Sequence, residues 1–110
     1  MRVTEELIDE MARAVVEEVA PQAIILFGSH AAGTARPGSD MDLLVIESTP
    51  FGPHRDRRRE MTRLWLALAR FAVPKDILVY SREEVERWRH ARNHIIARAL
   101  REGRLIYGAL

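Results

Sequence analysis

The chain has 110 residues, 47% of them hydrophobic, which fits a single domain over 1–110 with a modest core and leaves no room for a second catalytic or binding domain. Seventeen basic residues against sixteen acidic ones leave a net charge of +1, so no overall field draws the protein to nucleic acid or an anionic membrane, and any polyanion site has to be local. The absence of cysteine excludes disulfides and thiolate metal sites, and no apolar run approaches the ~20 residues of a membrane span. The first residues read as a charged amphipathic stretch rather than a leader, and the default expectation is a soluble cytoplasmic protein.

In chain order, Thr4 is placed to cap a helix whose first turn carries Glu5 and Glu6. Leu7, Met11, Val15 and Val19 recur at near-helical spacing until Pro21 stops the helix. Ala23 to Phe27 is a short branched apolar run without alternation, as expected of a strand buried on both faces. The stretch from Gly28 to Asp40 holds three glycines, Pro37 and three hydroxyl residues, and reads as a structured loop with room for one helical turn. Met41 to Ile46 predicts another buried strand, and Pro50, Gly52 and Pro53 mark a connection. The cluster Arg55, Arg57, Arg58, Arg59 opens a helical stretch through Arg70, with Met61, Leu64, Trp65 and Leu68 on its buried side.

Asp76 to Tyr80, after Pro74, predicts a third strand, and Ser81 with Glu84 has the spacing of a capping box for a further helix. That helix weakens around His90 to Asn93, resumes through Ile95, Ile96 and Leu100, and ends at Gly103 as a C-terminal glycine. Leu105 to Tyr107 reads as a short edge strand. Helices alternating with buried strands argue for an α/β sandwich, a mixed sheet of three or four strands flanked by helices, with the site at the sheet edge where the first two strands end.

The chemistry-bearing residues cluster on two of these strands. Asp40 and Asp42 bracket Met41 at the start of an apolar strand, and residues two apart on a strand share a face, so both carboxylates look at one site while Met41 looks into the core. Paired carboxylates repel one another or call for cations, and hard oxygen ligands favour magnesium. Asp76 opens the later strand; if that strand neighbours the first, it reaches the same metals and is placed to take a proton from an attacking hydroxyl. Gly28 and Ser29 stand where a buried strand gives way to a turn, a place where backbone amides and a hydroxyl approach a phosphate. The parts together describe a phosphoryl-transfer site.

Leu26-Phe27-Gly28-Ser29, ten intervening residues, then Asp40-Met41-Asp42-Leu43 resembles the signature of the DNA polymerase beta nucleotidyltransferase superfamily, in its minimal nucleotidyltransferase (MNT) branch. Gly33-Thr34-Ala35-Arg36-Pro37 and Ser39 match the usual filling of that loop, and the closing Glu102-Gly103 with Ile106-Tyr107 also falls where the family has it. The resemblance implies a polymerase beta-like fold, catalytic and metal-binding roles for Asp40, Asp42 and Asp76 with two Mg2+ ions, and ATP as nucleotide donor. It further implies nucleotide-binding positions at Gly28, Ser29 and Ser39, the last by supporting the loop rather than reacting. Members of this branch pair with helical HEPN proteins as antitoxin and toxin, and the MNT partner can add AMP to a toxin tyrosine; that is the leading role implied here. A non-catalytic module that neutralises its partner by contact, and an enzyme acting on a small molecule such as an aminoglycoside, are the competing readings. So short a chain is expected to bind its acceptor at an interface with a partner or in a homodimer. His30 and Ala32 depart from the family, many members of which carry arginines there.

Gly28-x4-Gly33-Thr34 mimics a P-loop but lacks its lysine, and His30 reads as a solvated loop residue before a phosphate ligand. The Arg55 to Arg59 cluster reads as a solvated helix start, with no strong nucleic-acid binding expected, and Arg89 with His94 as surface rather than a nuclease pair. Trp65 and Trp88 read as packing residues.

Overall fold

The computed structural model describes residues 2–110. Helix α1 (Glu5–Val19) begins at Thr4, whose hydroxyl accepts from the Leu7 amide at 3.1 Å, and it buries Leu7, Ile8, Met11, Ala12, Ala14 and Val15. Strand β1 (Ala23–Phe27) follows, then a single turn of helix, α2 (Ser29–Ala32), and strand β2 (Met41–Glu47). Helix α3 (Arg57–Leu68) leads to β3 (Lys75–Ser81), and α4 (Arg82–Trp88), α5 (Ile95–Glu102) and β4 (Arg104–Gly108) close the chain.

The four strands form one mixed sheet in the order β3-β2-β1-β4, with β1 antiparallel to both β2 and β4, and β2 parallel to β3. The parallel pair needs a crossover, which α3 supplies. One sheet face carries Ile24, Leu26, Met41, Leu43, Val45, Ile77 and Val79 against the apolar stripes of α1 and α3. The other carries Ala23, Ile25, Phe27, Leu44 and Ile46 against Val85 of α4 and Ile96 and Ala99 of α5. Both faces of β1 and β2 are therefore covered, which explains why neither strand shows polar alternation. Burying side chains as completely as Leu26, Leu43 and Ile46 contributes roughly 1.5–3 kcal/mol each, so these two strands anchor the sheet.

The expected strand and helix positions hold to within about two residues, the usual uncertainty at element ends. The capping box is present: the Ser81 hydroxyl accepts from the Glu84 amide at 3.2 Å, and the Glu84 carboxylate accepts from the Ser81 amide at 2.9 Å. Three expectations require correction. Trp65 is 40% exposed, because the buried stripe of α3 runs through Glu60, Leu64 and Leu68, and the indole turns outward to meet Lys75 Nζ at 5.8 Å. Gly103 ends α5 in an extended rather than a left-handed conformation. It is glycine because a Cβ there would meet the Ala99 carbonyl oxygen of α5 itself at 2.3 Å and, where α5 crosses β1, Ile25 Cγ2 at 2.6 Å and the Leu26 carbonyl oxygen at 2.9 Å. Finally, β1 and β2 run in opposite directions, so they do not end together. Where β1 ends, β2 and β3 begin, and the carboxylates lie at that end of the sheet.

Candidate active site

Phe27, the last residue of β1, lies opposite Asp42 in the antiparallel register, and Asp42 lies opposite Asp76 in the parallel one. Adjacent strands are about 4.8 Å apart, so the two carboxylates emerge side by side on the same face. It is the face covered further along by α4 and α5, since Asp42 shares its parity with Leu44 and Ile46, and Asp76 with Leu78 and Tyr80. Asp40 stands two residues ahead of Asp42, just before β2, while the intervening Met41 is fully buried on the opposite face. The Met41 amide donates to the Pro74 carbonyl at 2.8 Å, which ties the lead-in of β3 to that of β2 and holds the register.

Electrostatics mark Asp42 as the hub. Burial, then the negative charge of Asp76, then that of Asp40, raise its pKa above the ordinary aspartate value, and His30 opposes them. Three like charges at one sheet end repel, and Asp40 and Asp76 are both solvent-exposed. Among the described residues, no three acidic, histidine or cysteine side chains are drawn together tightly enough to hold a metal ion as they stand.

Gly28 closes the site from the β1 side. Its φ of +77° and ψ of −156° belong to glycine, and a Cβ there would overlap Asp42 Oδ2, so the backbone itself packs against the carboxylate. Ser29 opens α2, and the amides of Ala31 and Ala32 both donate to the Gly28 carbonyl, at 3.1 and 3.0 Å. The loop that follows is pinned by Ser39, whose hydroxyl accepts from the Arg36 amide at 2.8 Å and whose carbonyl lies 3.1 Å from His30 Nε2. Ser39 thus ties the loop back on itself, and His30 holds it to the start of β2. That second contact is invisible in the sequence, where His30 reads first as solvated and second as a phosphate ligand.

The remaining candidates go to structural work. Arg55 pairs with the buried Glu47 and with Glu60 at 3.2 Å, and Arg57 pairs with Glu84 and lies over the Tyr80 ring at 5.2 Å. Arg89 pairs with Glu86 at 2.9 Å, and His94 caps α5, its Nδ1 accepting from the Ile96 amide while its ring stacks on Trp88. Both side chains thus make local contacts of α4 and α5.

No curated protein sequence matches the chain. Among solved structures, a toxin-antitoxin with AMP-PNP is 22% identical over 97% of this chain and 75% of its own, with a TM-score of 0.57. A mutant of the toxin-antitoxin MntA-HpeT is 19% identical over 98% and 75%, with a TM-score of 0.62. A putative nucleotidyltransferase from Sulfolobus solfataricus is 21% identical over 74% and 70%, with a TM-score of 0.50. These likenesses establish the fold. A family model described as a nucleotidyltransferase domain matches residues 8–108, nearly the whole chain, and the chain belongs to that nucleotidyltransferase family.

Proposed function

We propose that the protein transfers AMP from ATP to a hydroxyl of a helical HEPN toxin, a tyrosine by preference, and so acts as its antitoxin. The observation that carries the proposal is the in-register pairing of Asp42 with Asp76 beside the Gly28 turn. That solved structures of similar fold are toxin-antitoxin complexes, one of them with the nucleotide analogue AMP-PNP, supports the choice of partner and donor.

In this reading Gly28 and Ser29 receive the nucleotide phosphates, the glycine by leaving its backbone uncovered and the serine through its hydroxyl. Ser39 keeps the loop in place for them. The acceptor oxygen attacks the α-phosphorus of ATP, the bond to the bridging oxygen on the pyrophosphate side breaks, and pyrophosphate leaves. Asp76 takes the proton of the attacking hydroxyl. The donor set fits magnesium: all three side chains offer hard oxygen, and burial together with the charges of Asp76 and Asp40 raises the pKa of Asp42, a cost to its ionised form that a cation would relieve. Two Mg2+ ions held by Asp40, Asp42 and Asp76 would neutralise the phosphates and steady the leaving group. Asp40 and Asp76, being exposed, can swing toward Asp42 without disturbing the core.

The test is to incubate the protein with labelled ATP, magnesium and the HEPN protein and to weigh that partner. A mass increase of one or more AMP groups, lost in Asp42→Asn and Asp76→Asn, is the expected result. Tight binding with no mass change would replace the enzyme by a module that neutralises its partner by contact. Modification of an aminoglycoside but not of protein would move the acceptor to a small molecule.

A further inference from the structure

Strand β4 forms one edge of the sheet, and its outer backbone edge has no partner among the described residues. Edge strands are ordinarily guarded by lysine, proline, a bulge or a covering segment, and β4 has one of these, an irregular register against β1 between Leu105 and Tyr107. Here the edge reads Arg104-Leu105-Ile106-Tyr107-Gly108, with Leu105 46% and Tyr107 39% exposed. Its one charged side chain is already engaged, since Arg104 grips both carboxylate oxygens of Glu5, at 2.9 and 3.2 Å. The edge therefore offers free amides and carbonyls flanked by apolar side chains.

Helix α1 lies over this strand and runs in the same direction, with Glu5 bonded to Arg104 near the start of both and Val16 sharing a groove with Ile106 and Tyr107 further along. Between them is a groove of about 250 Å3 lined by Ala12, Val16, Ile106 and Tyr107, with Asp9 and Arg13 also at its wall. Neither Asp9 nor Arg13 has an ion-pair partner among the described residues. One positive and one negative group, a helical turn apart, form a self-complementary pair under two-fold symmetry.

We infer that β4 is the contact between two copies of this chain, paired antiparallel about a two-fold axis near Ile106 and normal to the sheet. The two four-stranded sheets then join into one of eight strands. The two α1 helices lie antiparallel on one face, with Asp9 of each copy toward Arg13 of its mate and the Tyr107 and Leu105 side chains covered. The axis lies on the far side of β1 from the Asp42–Asp76 pair, so both sites stay open.

Sedimentation of the full chain over a range of concentrations tests this, with circular dichroism confirming that each variant is folded. The wild type is expected to dimerise. Asp9→Arg and Arg13→Asp, each placing like charges together twice, are expected to weaken the dimer by about tenfold or more, and combining the two reversals restores it. Tyr107→Lys, on the exposed edge, is expected to give a folded monomer. A wild type that is monomeric throughout, a dimer indifferent to both single reversals, or a double reversal no better than the singles would overturn the inference. None of these outcomes depends on nucleotide transfer.

Discussion

At Gly28 the backbone conformation and the neighbour are decided together: φ is +77°, and the space a Cβ would take is filled by the Asp42 carboxylate. Gly28→Ala is therefore expected to lower stability by about 1–3 kcal/mol through strain at a positive φ, and to abolish AMP transfer even where the fold survives. Urea unfolding and the transfer assay read the two effects separately. Asp42 has the opposite balance. Its carboxylate is partly desolvated, and it also faces the like charge of Asp76 at the directly opposed strand position. Asp42→Asn is expected to raise the stability of the nucleotide-free protein by a few tenths of a kcal/mol while eliminating transfer. A melting temperature that falls would contradict the repulsion described here.

At the scale of elements, the far end of β2 carries a second group of charges. Glu47 is buried with one carboxylate oxygen lacking a partner, and Arg55 is shared between Glu47 and Glu60. Burial, and then the contact with Glu60, raise the pKa of Glu47 from 4.5 to about 8, with Arg55 opposing them. Carrying a proton, Glu47 gains Glu60 as an acceptor. The folded-state pKa lies above the unfolded one, so this stabilisation is complete below pH 4.5, declines between pH 4.5 and about 8, and is gone above that. Glu47→Gln keeps the donor toward Glu60 at every pH and is expected to flatten the decline, whose slope is at most about 1.4 kcal/mol per pH unit. Urea midpoints at acidic, neutral and alkaline pH measure it. A simpler element-level expectation concerns Ser81, whose replacement by alanine removes the cap of α4 and costs about 1 kcal/mol in the same assay.

For the molecule as a whole, magnesium binding to the native carboxylates and not to the unfolded chain would couple the metal to folding. Millimolar magnesium is expected to raise the melting temperature of the wild type and to leave that of Asp40→Asn or Asp76→Asn nearly unchanged. A shift of equal size in all three would remove the carboxylates from metal binding. No helix among the described residues is long and apolar enough to cross a membrane, and the net charge of +1 leaves recognition to local surfaces.

Much of this is legible in the amino-acid sequence alone. Element type followed from period and caps: Thr4, Pro21, and the Ser81 and Glu84 pair each act over three or four residues, within the reach of sequence. The unalternating apolar runs of β1 and β2 announced burial on both faces, and the Asp-x-Asp spacing put two carboxylates on one of them. What only the tertiary structure decided was whatever depends on which strand lies beside which. The parallel β2–β3 register sets Asp76 opposite Asp42, the antiparallel β1–β2 register brings Gly28 against that same carboxylate, and α5 crossing β1 makes Gly103 a matter of clearance. The same holds for the burial of Glu60, since its environment is made by Glu47 and Arg55 from other elements. Local rules act through neighbouring backbone torsions and helical or strand period; contacts between distant segments depend on packing energies summed over the whole core, and no short stretch of sequence carries that sum.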